Sequence, residues 1–216
     1  LVTKDTADAH TVWRWTGSGF EFFQRVENPN PNRAGAASAF ARVADLDNDG
    51  QPELIIRNYE GILRILTCTD TGLTERYVLE TGRFCEGDFL AVGRFGGSSR
   101  PTVVLCTHTN PQRNETLFEY EPPYWQLHAI QWTGAQFQVV HQDAFFNLNA
   151  TAYSFLEAQN LDEDPDDEIL FVHYPRGYIL DSDTGGLHLR WYGYGILGQS
   201  TFVADFDANG RPEIAL

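Results

Sequence analysis

Hydrophobic and polar residues alternate with a period of two in four stretches of this chain, each built around a glycine-containing turn. The stretches read TVWRWTGSGFEFFQRV (11–26), GILRILTCTDTGLTERYVL (61–79), HAIQWTGAQFQVV (128–140) and GYILDSDTGGLHLRWY (177–192). Period-two alternation on both sides of a glycine turn is typical of a β-hairpin with one buried face. Helical periodicity is absent throughout, so the pattern predicts an all-β chain.

A second repeated feature is an acidic segment between two apolar runs. It reads ADLDNDGQPELII (44–56), recurs as ADFDANGRPEIAL (204–216) and, with changes, as QNLDEDPDDEILF (159–171). A fourth copy, AVGRFGGSSRPTVVL (91–105), keeps the apolar runs and the proline but has lost the acidic residues. Each copy predicts strand, loop, strand. With the hairpins, the repeat becomes a unit of four strands, which we label A to D.

Four-stranded units repeated every 45 to 65 residues or so are typical of a β-propeller with antiparallel blades. We expect a single domain over 1–216, divided as follows: strands C and D of a closing blade in 1–27, complete blades in 36–80, 86–141 and 151–192, and strands A and B of the closing blade in 198–216. Two arrangements stay open. The terminal halves pair and close a four-bladed ring, or the chain is part of a larger ring.

The acidic loops have the composition of a metal site. In the first copy, Asp45, Asp47 and Asp49 stand at positions 1, 3 and 5, where alternate side chains can converge. Gly50 allows a positive-φ reversal, and Glu53 closes the loop at position 9, with the carbonyl of Gln51 as a further ligand. A hard cation that takes six to eight oxygens suits this set, and calcium suits it better than magnesium. An EF-hand is excluded because it needs a glutamate at position 12 and flanking helices.

The other copies carry related ligand sets. The last copy offers Asp205, Asp207, Asn209, the carbonyl of Arg211 and Glu213, with one charge fewer, so we expect a weaker site. The third copy offers Asn160, Asp162, Asp164, the carbonyl of Asp166 and Glu168. Pro165 stands at its reversal position, where a fixed φ forbids a left-handed turn, so occupancy there stays open. The fourth copy, with Gly93, Phe95, Gly97 and Ser99 in the corresponding region, is predicted to bind no metal. A solvated, metal-free turn is the alternative for every acidic copy.

The repeated motif D-x-D-x-D-G-x-x-D/E between two strands, together with RFGG in the fourth copy, resembles the FG-GAP or VCBS-type repeats of integrin α-subunit propellers and related extracellular proteins. The resemblance covers the whole chain. It implies a propeller in which calcium is structural, in an extracellular or periplasmic protein. The chain departs from that pattern in having glutamate at position 9 and fewer repeats than the usual seven blades.

Charge narrows the range of partners. The chain has 15 basic and 30 acidic residues, a formal net charge of −15, which argues against nucleic acid or an anionic membrane surface. No apolar run approaches the roughly 20 residues that span a bilayer, so we expect no membrane insertion.

The chain has three cysteines, an odd number, and they lack CxxC spacing: Cys68, Cys85 and Cys106. One disulfide or buried thiols remain as alternatives.

The most distinctive candidate binding segment is the long connection between strands B and C of the second unit. It carries four aromatic residues beside two glutamates, namely Phe118, Tyr120, Tyr124 and Trp125. Exposed aromatic rings with carboxylates suit a sugar or protein partner. A local lid packed over the blade is the alternative.

We therefore expect a calcium-stabilised binding or assembly module for a protein or glycan, or a subunit of a larger assembly. An enzyme acting on polysaccharide, a lyase or hydrolase, is the alternative function. We expect binding rather than catalysis because the sequence has no nucleophile elbow, P-loop or dinucleotide fingerprint.

Overall fold

The computed structural model describes most of the chain as strands and tight connections. It covers residues 1–5, 9–28, 41–58, 60–82, 85, 89–108, 125–145, 154–162, 164–173, 176–183, 186–195 and 202–215. Within these residues there is no helix, so none is long and apolar enough to cross a membrane. The predicted all-β class is confirmed.

In the part of the chain that the structure describes, seventeen strands form five antiparallel sheets in chain order. Sheet 1 contains β1 (Val2–Lys4), β2 (His10–Trp15) and β3 (Phe20–Val26). Sheet 2 contains β4 (Ala41–Ala44), β5 (Glu53–Arg57), β6 (Ile62–Thr69) and β7 (Gly72–Glu80). Sheet 3 contains β8 (Leu90–Gly93), β9 (Thr102–His108), β10 (Trp125–Trp132) and β11 (Phe137–Phe145). Sheet 4 contains β12 (Ser154–Gln159), β13 (Glu168–His173), β14 (Arg176–Asp183) and β15 (Gly186–Tyr194). Sheet 5 contains β16 (Phe202–Ala204) and β17 (Glu213–Ala215).

Sheets 2, 3 and 4 have the strand content predicted for the three complete units, each running in sequence order across the sheet. Sheets 3 and 4 extend slightly further than predicted, to Phe145 and Tyr194. The acidic segments join the first two strands of a sheet, and the glycine turns join the last two, as the sequence pattern indicates.

Sheet 1 corrects the prediction for the N-terminal region, which was expected to hold only two strands. The extra strand β1 pairs with β2, with Val2 opposite Val12 and Lys4 opposite His10. Three residues are too few for an alternating pattern to stand out, which is why this strand was missed. Its position matters because β1 lies on the edge of β2 that the C-terminal pair would join in the closed four-bladed arrangement. Within the described residues, β17 pairs with β16 alone.

Consecutive sheets pack against each other through apolar faces. Val26 of sheet 1 packs with Leu54 and Ile56 of sheet 2. The largest cluster joins sheets 2, 3 and 4, and Leu170 and Val172 of sheet 4 pack with sheet 5. The second strand of each complete sheet is deeply buried because both of its faces meet apolar neighbours.

The four hairpins share a β-bulge at the same place, where one residue of the last strand has no partner opposite it. The bulged residues are Phe23, Arg76, Val140 and Arg190. The bulge changes the direction in which these side chains leave the strand. In the two complete sheets that have an acidic loop, the bulged residue is arginine.

Candidate metal centres

Strand register aligns the four loops residue by residue. Ala44 pairs with Glu53, Gln159 with Glu168 and Ala204 with Glu213, so each glutamate begins the second strand of its sheet. We name the connections loop I (45–53), loop II (94–102), loop III (160–168) and loop IV (205–213).

In loop II, the strand register shifts the predicted alignment of the fourth copy by one residue. Gly93 pairs with Thr102, so Arg94 stands at position 1 and Thr102 at position 9. The backbone N–H groups of Arg94 and Gly97 donate to carboxylate oxygens of Asp167 and Asp166, at 2.7 and 2.6 Å. This loop is therefore held by side chains of the adjacent sheet.

Loop I folds around its own carboxylates. The carboxylate of Asp45 accepts the N–H groups of Asp49 at 3.1 Å and Gly50 at 2.9 Å. Gly50 has φ of 86°, which confirms the predicted reversal. Asn48 has φ of 61°, a second left-handed residue that the sequence did not indicate. Short Asx hydrogen bonds of this kind make the tight turn possible.

Loop IV repeats that conformation. The carboxylate of Asp205 accepts the N–H groups of Asn209 at 2.9 Å and Gly210 at 2.8 Å. Ala208 and Gly210 take the two left-handed positions, with φ of 58° and 86°. The same local sequence thus gives the same local structure in sheets 2 and 5.

Each acidic loop contributes to a group of three carboxylates whose oxygens lie within 4.8 Å of one another. The groups are Asp45, Asp47 and Glu53; Asp162, Glu168 and Asp181; and Asp205, Asp207 and Glu213. The position 9 glutamate anchors every group, because its second oxygen accepts the N–H of the residue at position 2: Leu46, Leu161 or Phe206.

The remaining predicted ligands lie elsewhere in the loops. The position 5 side chains accept the N–H two residues later at 2.7 to 2.9 Å: Asp49, Asp164 and Asn209. The carboxylates of Asp49 and Asp164 are outside the three groups. Gln51 and Arg211, predicted to contribute carbonyl oxygens, are exposed at position 7. The carbonyl of Asp166 accepts a hydrogen bond from Asn160 Nδ2 at 3.0 Å.

Two arginines, not predicted from the sequence, supply positive charge to loops I and III. Arg76 Nη1 lies 2.6 Å from Asp47 Oδ2 and 3.2 Å from Glu53 Oε1. Its guanidinium also lies 4.6 Å from the ring centre of Trp132 in sheet 3. Arg76 therefore joins an acidic loop of one sheet to an aromatic side chain of the next.

Arg190 has the corresponding place in sheet 4. Its Nη1 contacts Asp162 Oδ2 and lies 3.4 Å from Asp181 Oδ2. A spacing signal was available in the sequence, since Arg76 follows Glu53 by 76 − 53 = 23 residues and Arg190 follows Glu168 by 190 − 168 = 22.

Burial makes the position 9 glutamates of loops I and III unusual. Both side chains are 0% exposed. Burial raises the pKa of Glu53. The pKa of Glu168 is raised to about 7, first by burial and then by the charges of Asp162 and Asp181. The pKa of Asp162 is lowered by the hydrogen bond from the Asp164 N–H and by Arg190.

Loop IV differs because no residue of the described chain corresponds to the bulged arginines Arg76 and Arg190. Its carboxylates accept the backbone N–H groups already named, and Glu213 Oε1 accepts Asn209 Nδ2 at 3.4 Å. Sheet 5 has only two described strands, so it has no bulged fourth strand to provide a guanidinium. The positive side chain within loop IV is that of its own Arg211, which is exposed at position 7.

The predicted ligand-binding residues Phe118, Tyr120 and Tyr124 lie outside the described residues. Trp125 begins β10, but its side chain is not described. Other aromatic side chains are exposed on sheets 1 and 4, among them Trp15, Phe20, Trp191 and Tyr194.

The three cysteines are all thiols, and Cys85 Sγ donates a hydrogen bond to the carbonyl oxygen of Cys106 at 3.2 Å.

No protein-family model matches this chain, and none of the curated proteins matches it.

Proposed function

We propose that this chain is a calcium-stabilised, propeller-like binding or assembly module in which loops I, III and IV hold divalent cations. One observation carries the proposal: in three different sheets, the acidic loop is part of a group of three carboxylates whose oxygens lie within 4.8 Å of one another. Closely spaced carboxylates repel one another, and a divalent cation removes that repulsion.

The residues present fit calcium. Carboxylate oxygens are the hard ligands that calcium takes. Loop IV has no bulged arginine like Arg76 or Arg190 in the described chain, and Glu168 Oε1 of loop III is buried without a hydrogen-bond donor. Three calcium ions would change the formal net charge of −15 by 3 × 2 = +6, to −9. Such an ion orders the loop and adds no catalytic chemistry.

A propeller arrangement of the sheets is part of the proposal. The first strand of sheet 3, β8, lies next to both β4 and β12, the first strands of the neighbouring sheets. First strands gathered together, with later strands further out, are what blades around an axis require. The packing of sheets in chain order supports the same arrangement.

The partner surface is proposed from exposed aromatic side chains. Trp15 and Phe20, at the hairpin end of sheet 1, are 58% and 55% exposed. Their rings lie 5.1 Å apart at an interplanar angle of 62° and offer an exposed apolar patch on an acidic chain. A protein or a glycan is the partner class that such a patch suits. We place the module outside the cytoplasm, where millimolar calcium would fill weak sites.

The first test measures thermal unfolding of the chain in EDTA and in CaCl2, together with calorimetric titration of CaCl2. A site filled at 100 times its Kd stabilises by about 2.7 kcal/mol, which raises Tm by roughly 5 to 10 °C in a chain of this size. MgCl2 at the same concentration is the control and should raise Tm less. The same Tm in EDTA and CaCl2, with no binding heat, would overturn the proposal.

The partner is sought with the calcium-loaded chain on a glycan array. Binding that is lost in the Trp15→Ala/Phe20→Ala variant supports the aromatic surface. Turnover of an acidic polysaccharide would favour the enzymatic alternative.

A further inference from the structure

Loop III lacks the carboxylate that loops I and IV have at position 1. Asn160 stands there, and its Nδ2 donates to the carbonyl oxygens of Asp164 and Asp166 at 2.5 and 3.0 Å. The side-chain amide of Asn160 therefore stabilises the turn. With only its own residues, loop III would bring two carboxylates, Asp162 and Glu168, to the group.

The third carboxylate comes from a different element. Asp181 lies on β14, where Ile169 of β13 pairs with Leu180, so Asp181 is beside Glu168 at the end of the ladder. The corresponding residue in sheet 2 is Thr67, which pairs with Glu53. In sheet 2, position 1 is aspartate and the neighbouring strand has threonine. In sheet 4, position 1 is asparagine and the neighbouring strand has aspartate, so each group contains three carboxylates.

A buried oxygen in this group lacks a hydrogen-bond donor. Glu168 is 0% exposed, and its Oε1 has no hydrogen-bond partner. The nearest positive group is Arg190 Nη1 at 3.9 Å, the same nitrogen that contacts Asp162 and Asp181, so Oε1 faces the centre of the group. The matching oxygen of Glu53 is satisfied at 3.2 Å by Arg76. A buried oxygen of this kind is costly unless a cation or donor meets it.

We propose that Asp181 is a ligand of the divalent cation in loop III, where it takes the role that Asp45 and Asp205 have in loops I and IV. This inference rests on the proposed function. The ion links β14 directly to the loop between β12 and β13. Arg190, whose side chain is 46% exposed, turns outward when the ion enters.

The test is calorimetric titration of CaCl2 into the EDTA-stripped, dialysed full chain and its Asp181→Asn variant. The substitution keeps the size of the side chain and removes its charge. We expect the wild type to bind one ion for each of the three carboxylate groups and the variant to lose one of them, or to bind it at least about tenfold more weakly. Asp183→Asn is the matched control, since Asp183 is on the same strand and bonds the exposed His188 at 2.9 Å. It should titrate like the wild type.

A second variant, designed to gain affinity, keeps the inference testable if the Asp181→Asn chain fails to fold. Thr67→Asp places a carboxylate next to Glu53, in the position that Asp181 has beside Glu168. One calcium site should then bind at least about tenfold more tightly. Misfolding cannot produce that result.

The outcomes separate the two proposals. If the wild type binds no calcium, the proposed function and this inference both fail. If the wild type binds calcium and Asp181→Asn titrates identically, only the inference fails. If Asp181→Asn does not fold by circular dichroism, an unchanged isotherm for Thr67→Asp overturns the inference.

Discussion

Carboxylates removed from water need positive partners, and single residues of this chain provide them. Glu53 is fully buried in sheet 2, and Arg76 reaches it from a bulge on the far strand. Because the same guanidinium lies against Trp132, one side chain combines an ion pair with packing against sheet 3.

Arg76→Gln should destabilise the metal-free chain. It leaves the buried carboxylate of Glu53 without a charged partner, which costs about 2 to 3 kcal/mol in the free energy of unfolding. The calcium ion proposed for loop I would supply a replacement charge, so CaCl2 should recover part of the loss. Urea denaturation in EDTA and in CaCl2 measures both effects.

Arg25→Gln is the control for that substitution. Arg25 pairs with Asp5 and Glu27 at the surface, where an ion pair is worth less than about 1 kcal/mol. Equal losses for Arg76→Gln and Arg25→Gln would show that Arg76 has no special role.

Glu168 should make stability depend on pH when no ion is present. Its pKa is about 7 in the folded chain, above the ordinary value of 4.5, so the folded state binds the proton more tightly than the unfolded state. Stability in EDTA should therefore fall as pH rises from 4.5 to 7 and then level off. Glu168→Gln should flatten that fall. In CaCl2 the trend reverses, because the ion needs the ionised carboxylate.

Urea denaturation at pH 5, 6, 7 and 8 checks this expectation. Glu157→Gln, on the exposed side of β12, is the control and should keep the wild-type profile. A Glu168→Gln chain whose stability falls between pH 5 and 7 as steeply as that of the wild type would contradict it.

At the scale of elements, the hairpins and acidic loops were predictable because their signals are local. Period-two alternation and a glycine turn are enough to predict β6 with β7 or β10 with β11. The three-residue β1 gives no such signal. The four bulges were missed for a different reason: they depend on how two strands are paired, which the sequence of either strand alone does not specify.

Strand β8 passes close to β12 at Gly93. A Cβ at this position would lie 2.6 Å from Ala158 Cβ and 2.9 Å from Phe95 Cζ. Gly93→Ala should push the two first strands apart and cost about 2 kcal/mol. The free energy of unfolding from urea denaturation measures the loss.

Gly19→Ala is the matched control because a Cβ there meets nothing within 4 Å. It should change the free energy of unfolding by less than about 0.5 kcal/mol. If Gly93→Ala is as mild as Gly19→Ala, β8 and β12 do not pack as closely as described.

At the scale of the whole molecule, five sheets follow one another in chain order, each packed on the next. That order was predictable from the repeats. The complete carboxylate groups were not, because Asp181 comes from a strand beyond the loop, and only the pairing of β13 with β14 brings it there. The arginines were missed for the same reason. Members of the carboxylate groups that are close in the sequence were predicted, and the one that the fold brings in from another strand was not.

The short strand β1 has a consequence for how copies of this molecule meet. An exposed strand edge recruits strands from other molecules, and β1 has already saturated the edge of β2 through Val2–Lys4. A neighbouring copy that offered its own β17 would have to displace that ladder first. The edge that β1 itself presents is only three residues long, and a short edge strand offers little backbone for such pairing.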